Sequence, residues 1–213
     1  MAEKGKHEWR KKEKQIYLPK AQPTFIKVPE FKFITIKGEG NPNSEAFPLY
    51  IQVLYMLSYA IKMTLKKEST LEGAYDYTVY PLEGVWDINE KARASFDGKI
   101  NKDDLVFKLM IRQPDFVTEA FYQEMFEQTK KKKPNPLLKE AKFEKIAEGD
   151  CIQMLHIGSY DDEPKTFQIM EAFAEKEKLI RASKIHREIY LSDFRRVAPE
   201  KLKTVLRFKV DTP

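Results

Sequence analysis

The chain has 213 residues, 42% hydrophobic and 12% aromatic, which is enough to bury a sizeable core in one domain or two small lobes and excludes a disordered protein. A charged content of 33% describes a water-facing surface, and no run approaches the roughly 18 apolar residues a membrane span needs. The formal charge of +5 is local: residues 1–20 hold seven Lys or Arg against three Glu, leaving 31 basic and 30 acidic residues in a nearly neutral body.

Residues 1–14 are polar and charged, with no apolar stretch and no small-residue cleavage pattern, so no secretory signal is read. Residues 1–22 count as a basic N-terminal segment. From there an order of elements appears twice. Residues 31–37 alternate like a half-buried strand and run into the turn Gly38-Glu-Gly-Asn-Pro42. A helix is predicted over 48–66, where Ile51, Leu54, Tyr55, Ser58, Ile61 and Leu65 share one face and Pro48 suits the first turn. Strands are predicted at 75–82 and 105–111, with Asp97-Gly98 in the polar connection between them.

Residues 115–129 read as a connecting helix with Val117, Phe121, Met125 and Gln128 on one side, ended by the breaker Pro134-Asn-Pro136. Lys130 to Lys133 fall at its end, where cations suit the helix dipole and water. The second half then repeats the order: strand 151–157, turn at Gly158, helix 164–178 with Phe167, Met170, Phe173 and Ala174 inward, and closing strands 185–191 and 204–210. Thr78-Val-Tyr80 can be laid over Glu188-Ile-Tyr190. The implied fold class is α+β: a pseudo-twofold, duplicated strand-helix-strand-strand repeat. Its antiparallel sheet carries helices on one face and a ligand cleft on the other. Repeat one spans about 23–113, the connector about 114–145 and repeat two about 146–210.

In strand 185–191, alternation puts Ile185, Arg187, Ile189 and Leu191 on one face, expected to meet the helices, and His186, Glu188 and Tyr190 on the open face. A carboxylate in partly apolar surroundings can pair with a cationic ligand or act as a general base. Taken alone, such a glutamate is more often solvated, or paired with a neighbour such as Arg195 or Arg196. The corresponding strand offers Tyr80, with Trp86 just beyond, as rings for a flat ligand; most such rings simply pack. His156 and Tyr160 flank the turn that leads to Asp162, an N-cap candidate, and Pro164 in the first helical turn. His156 can shuttle protons, yet a lone strand histidine more often makes one structural hydrogen bond. Cys151 has no visible base or electropositive setting and is assigned to packing. The single cysteine fits a reducing, cytoplasmic compartment. With three scattered histidines it makes no familiar zinc spacing. Walker, dinucleotide-glycine, His-Glu-x-x-His and Gly-x-Ser-x-Gly patterns are absent from the sequence, so neither cofactor nor metal is expected.

Three motifs in order, Pro81-Leu-Glu-Gly-Val-Trp86, His156-Ile-Gly-Ser-Tyr160 with Asp161-Asp-Glu-Pro164, and His186-Arg-Glu-Ile-Tyr-Leu-Ser-Asp193, resemble the stand-alone GyrI-like small-molecule-binding proteins. The resemblance runs from about Pro23 to Val210 and implies a SOUL/GyrI-like, AraC-effector-binding type of domain over 23–213. It implies a cleft in which Glu188 faces a bulky aromatic or cationic compound, with Tyr80, Trp86, His156, Tyr160 and Tyr190 as ligand-binding candidates. Alternation does not choose among the tyrosines, because a one-residue slip reverses the face. The chain is also similar to the branch that hydrolyses the cyclopropane of DNA-alkylating natural products. That likeness implies detoxification, with Glu188 as the base that activates water.

About twenty residues precede the resemblance, too few for a helix-turn-helix unit with its own core, so no DNA-binding domain is expected. The other reading is a non-catalytic interaction or regulatory protein that binds a topoisomerase or another macromolecule through its basic clusters. The sequence does not fix an oligomeric state.

Overall fold

The computed structural model describes residues 5–67 and 71–212; residues 1–4 of the basic N-terminal segment, 68–70, and the final Pro213 lie outside the described residues. Two single-turn helices come first, α1 (Trp9–Lys12) and α2 (Lys14–Tyr17). Then follow β1 (Thr24–Glu39), α3 (Phe47–Lys67), β2 (Leu82–Ile88), α4 (Glu90–Ala94) and β3 (Leu105–Gln113). After the connecting helix α5 (Glu119–Lys132) come β4 (Lys142–Ile157), α6 (Glu163–Lys176), the short β5 (Ile180–Arg181), β6 (His186–Tyr190) and β7 (Lys203–Asp211).

All strand pairings are antiparallel, in the order β4, β1, β3, β2, β6, β7, and β7 pairs back onto β4. The sheet therefore closes into a six-stranded ring, with β5 beside the end of β7. This closure is the main departure from the expected open sheet. Its outer face carries the helices: α3 buries Val53, Leu54, Leu57 and Ile61 over the side that holds Ile34, Ile36, Leu109 and Ile111. The second helix, α6, sets Met170 and Ala174 against Ile152, Leu206 and Phe208.

The inside of the ring is filled, so no cleft opens there. Arg187 bonds Glu83 (2.6 Å) and Glu148 (2.9 Å), and Arg207 bonds Glu148 (2.8 Å). Buried cations and carboxylates are tolerable when each is paired in this way. The N-terminal turns stopper one end of the ring. Arg207 donates to the carbonyl of Ile16 (2.8 Å), Gln153 to that of Gln15 (2.6 Å), and Arg112 to a carboxylate oxygen of Glu13. Trp9 and Tyr17 are buried, so the described part of the stretch counted as a basic segment is anchored to the body through these two rings.

Two strand readings change. Residues 75–81 do not form a ladder strand: Tyr77 makes one isolated bridge to His7, and Tyr77 and Tyr80 pack into the core. Pro81 has no N–H to give a ladder, and pairing starts only at Leu82. Thr78-Val-Tyr80 therefore does not match Glu188-Ile-Tyr190; Gly84 lies opposite Glu188 instead. The strands read at 31–37 and 151–157 are the ends of sixteen-residue strands that pair with each other. Lys130–Lys132 close the last turn of α5 in solvent. Among the described residues, no helix is long and apolar enough to cross a membrane.

Candidate functional site

The two central strands leave a floor uncovered between α3 and α6. On their outer face Gly84 lies opposite Glu188, and Trp86 opposite His186. Above this floor is a cavity of about 1430 Å³ walled by Phe47, Ile51 and Tyr55 of α3, by Tyr160, Glu163 and Phe167 at the head of α6, and by Trp9. The cleft thus shares the helix-bearing face. The alternation read from 185–191 holds, but its assignment is reversed: Arg187 and Ile189 point into the ring, while His186, Glu188 and Tyr190 point toward the helices. Polarity misleads here because the ring interior is where the charged side chains are paired.

Trp86 packs at a tilt against Phe47 (centroids 5.9 Å apart) and Phe107 (5.4 Å). Its Nε1 donates to the hydroxyl of Tyr190 (2.8 Å), which lies beside the Glu188 carboxylate. Gly84 makes this possible, since a Cβ at that position would stand 2.7 Å from Trp86 Nε1. Burial, and then the Glu188 charge, hold the Tyr190 phenol well above its ordinary range. The same two causes push Tyr160 up to about 12, so both hydroxyls keep their protons and can donate. Tyr160 meets Tyr190 edge-on at 6.1 Å.

Glu188 accepts from His186 Nε2 (3.1 Å), whose ring is T-shaped against Phe167 at 4.7 Å. Facing Glu188 is Glu163, the first residue of α6, and both are buried, at 8% and 6% exposure. Burial first, and next the Glu188 charge, raise the Glu163 carboxyl well above the usual carboxylate range. Two facing carboxyls in a dry site cannot both ionise cheaply, so Glu163 is the acid that keeps a proton. Glu163, His186 and Glu188 bring ligand atoms within 4.8 Å of one another, which makes them the described residues able to hold a metal ion.

Of the residues anticipated, Trp86, Tyr160, Glu188 and Tyr190 meet at one place. Tyr80 touches the cavity, but its hydroxyl is spent on Glu13 (2.7 Å) beside Arg112. His156 does not reach the cavity: its ring nitrogens are bound to Thr166 Oγ1 (2.8 Å) and to the carbonyl of Ser159 (3.0 Å), pinning the start of α6. It is the structural histidine that a lone strand position suggests. Sequence reasoning missed Glu163 and Trp9. Glu163 stood inside a quoted motif, where an acid in a first helical turn has an ordinary explanation. The signal for Trp9 was a large apolar ring amid Glu8 and Arg10.

The rim carries many charges, nearly all internally matched: Lys102 with Asp161 (2.9 Å), Arg181 and Lys184 with Glu171 (2.6 and 2.7 Å), and Arg195 with Asp193 (2.9 Å). Asp87 pairs with Arg93. Arg10 lies on the Trp9 ring at 4.4 Å and donates to the carbonyl of Leu191 (3.3 Å). What a ligand meets is therefore an aromatic cleft with one deep carboxyl pair.

The family model of the GyrI-like small molecule binding domain matches residues 21–211. The crystal structure of a hydrolase from Listeria innocua is similar at 37% sequence identity and a TM-score of 0.86, over 97% of this chain and 100% of that one. A second hydrolase structure from Listeria innocua is 39% identical with the same coverage and TM-score. The C-terminal domain of EcmrR, 12% identical with a TM-score of 0.54 over 90% of this chain and 98% of that one, shares the fold. No curated protein matches the chain.

Proposed function

The chain belongs to the GyrI-like small-molecule-binding domain family, and on that premise we propose that its cleft receives a bulky aromatic compound against Trp86 and anchors it at Glu188. The observation that carries this reading is a buried carboxylate, beside the Tyr190 hydroxyl to which Trp86 donates, at the floor of a large aromatic cavity. Large rings supply contact area, and a single polar anchor fixes orientation. The ligand is an aromatic or a cationic aromatic compound. One buried thiol and no disulfide partner fit a reducing, cytoplasmic setting.

The same groups support a hydrolytic activity on cyclopropane-bearing, conjugated genotoxins. Glu188 takes a proton from a water, and the water oxygen bonds to a ring carbon. The strained carbon–carbon bond breaks, and its electron pair passes through the conjugated system to the carbonyl oxygen; that oxygen gains a proton as Glu188 gives up the one it took, and the other water proton stays on the new hydroxyl. Water is the only co-reactant, and both its protons are accounted for. Base catalysis of this kind contributes about 10²–10⁴-fold. Tyr160 is the second donor, since the Tyr190 hydroxyl beside it is already bound to Trp86. Two Listeria innocua relatives described as hydrolases are in keeping with this chemistry.

The test is incubation of the purified protein with a cyclopropyl-dienone compound, following a product heavier by one water by mass spectrometry. Turnover by the wild type that falls at least a hundredfold in Glu188→Gln supports the enzyme. Tight binding without turnover in either protein leaves a sequestering protein. An interaction protein acting through its basic clusters gains little, because Arg10 covers Trp9 and Lys130–Lys132 cap a solvated helix end.

A further inference from the structure

On the floor of the cleft three side chains bring their donor atoms together, and no cation of the chain meets them. His186 and Glu188 stand two apart on β6 and so share its outer face, with Nε2 and Oε1 3.1 Å apart. Glu163 comes over them from the start of α6, and one nitrogen or oxygen of each lies within 4.8 Å of the other two. All three line the cavity. Each acid of the rim has a Lys or Arg, whereas among the described residues neither Glu163 nor Glu188 has one within 4.0 Å. Glu163 is 6% exposed, and its Oε1 is buried without a hydrogen-bond partner. An orphaned buried oxygen calls for a water or an ion. Beside a second carboxylate and an imidazole, the ion is the better match.

We infer that Glu163, His186 and Glu188 form a binding site for a divalent transition-metal ion whose remaining coordination position opens into the aromatic cleft. Two carboxylates balance the charge of such an ion, and an oxygen–oxygen–nitrogen set without sulfur suits Zn²⁺ or Mn²⁺. The ligands are held from behind. His156 ties Thr166 (2.8 Å) to the carbonyl of Ser159 (3.0 Å), which fixes the helix start that carries Glu163. His186 Nδ1 lies 3.4 Å from the carbonyl of Lys184, and Phe167 packs on its ring. With the ion in place of the Nε2 proton, Nδ1–H donates to that carbonyl, the usual support of a metal-bound histidine. Any proton on the carboxyls gives way to the ion in the same manner. Zinc sits about 2.0–2.2 Å from nitrogen and oxygen ligands, so donor atoms around it lie roughly 3.4 Å apart. His186 and Glu188 already stand that close, and a small turn of the Glu163 side chain supplies the rest. The inference goes beyond the ligand-cleft reading and does not depend on it; with an ion bound, a ligand's polar atom meets the metal instead of Glu188.

The experiment is isothermal titration of the tag-free full chain, stripped with EDTA and dialysed free of it, with Zn²⁺ and separately with Mg²⁺. Binding of the neutral aromatic 9-(hydroxymethyl)anthracene to the same metal-free protein is measured alongside. The expected result is one Zn²⁺ per chain and no Mg²⁺ at the same concentrations. Contacts behind a metal ligand are already worth about 10–100-fold in affinity, so Glu163→Gln and His186→Gln should each weaken Zn²⁺ binding by at least about a hundredfold. Melting curves of the metal-free variants confirm that they are folded. His7 bonds Glu13 away from the cleft, and His7→Gln should bind Zn²⁺ as wild type does. Absence of stoichiometric Zn²⁺ binding overturns the metal site; the cleft reading then stands if the anthracene binds and falls with it if the anthracene does not. Zn²⁺ binding that survives in both cleft variants places the ion elsewhere on the chain and overturns the assignment. Equal binding of Mg²⁺ and Zn²⁺ overturns the transition-metal class and the part given to His186.

Discussion

Gly84→Ala tests the floor of the cleft with a single methyl. The added Cβ stands 2.7 Å from Trp86 Nε1, 3.1 Å from the Tyr190 hydroxyl and 3.2 Å from Leu109 Cδ2. The indole is wedged between Phe47 and Phe107 and cannot swing aside as a flexible chain end would. It must shift, and the 2.8 Å bond to Tyr190 breaks. Leaving a buried N–H without its partner costs about 1–3 kcal/mol, and overpacking a closed site costs about 1–3 kcal/mol. Replacing a strand glycine returns roughly 0.5–1 kcal/mol. Because one displacement relieves part of both penalties, the net is about 2–3 kcal/mol. For a chain of this size that lowers the Tm by roughly 4–12 °C.

Circular dichroism melting measures the stability loss. Tryptophan fluorescence measures the site, since Trp9 and Trp86 are the two tryptophans of the chain and both line the cleft. Titration with 9-(hydroxymethyl)anthracene should show at least about tenfold weaker binding, equal to ~1.4 kcal/mol. An unchanged Tm together with unchanged affinity would refute the close-packed floor and the Trp86–Tyr190 bond built on it.

Three further outcomes follow from the same geometry. Arg187→Met strands Glu83 and Glu148 inside the ring and should cost about 3–5 kcal/mol, whereas adding Glu83→Gln should recover much of it and leave Glu148 to Arg207. Melting curves that place the single variant within a degree of wild type would count against the interior ion pairs. Glu163 has a folded-state value above the ordinary 4.5, so the stability it contributes is complete below 4.5 and is lost as pH rises through the folded value. Glu163→Gln should therefore melt above wild type at pH 8, with the gap closing toward pH 4; a constant gap would contradict the sign. Burial pushes the Cys151 thiol up to about 12, so a maleimide at pH 8 should label it only after denaturant is added. Labelling of the native protein within minutes would show that the ring interior opens.

How much of this could be read from the letters differs by element. The long helices and the outer strands were legible because one face is apolar and the other wet: α3 buries Leu54 and Ile61 and exposes Tyr59 and Met63. The floor strands were not. β6 is buried on both sides, with Arg187 at 3% and Glu188 at 8% exposure, so its polarity could not say which side met the helices. β2 was missed because the strand was placed at 75–82, whose tyrosines imitate a strand and are core, and the residues after Leu82 were left in the connection. Glu188 stood out through its motif. The identity of its partner could not be read, because Glu163 reaches it only once α6 lies on the sheet, and no spacing in the sequence records that approach.

Closure of the ring also sets an order of events during synthesis. β7, made after the other strands of the ring, completes both β6 and the seam to β4. It also brings Arg207, whose guanidinium holds the carbonyl of Ile16 across 191 positions of chain. Until that strand arrives, the N-terminal turns have no anchor there and Trp9 has no finished wall to complete. Contacts so distant in sequence are slow to form. The nascent chain therefore carries its aromatic cleft residues unsheltered until β7 is in place, and the binding site and the seam of the ring are completed together.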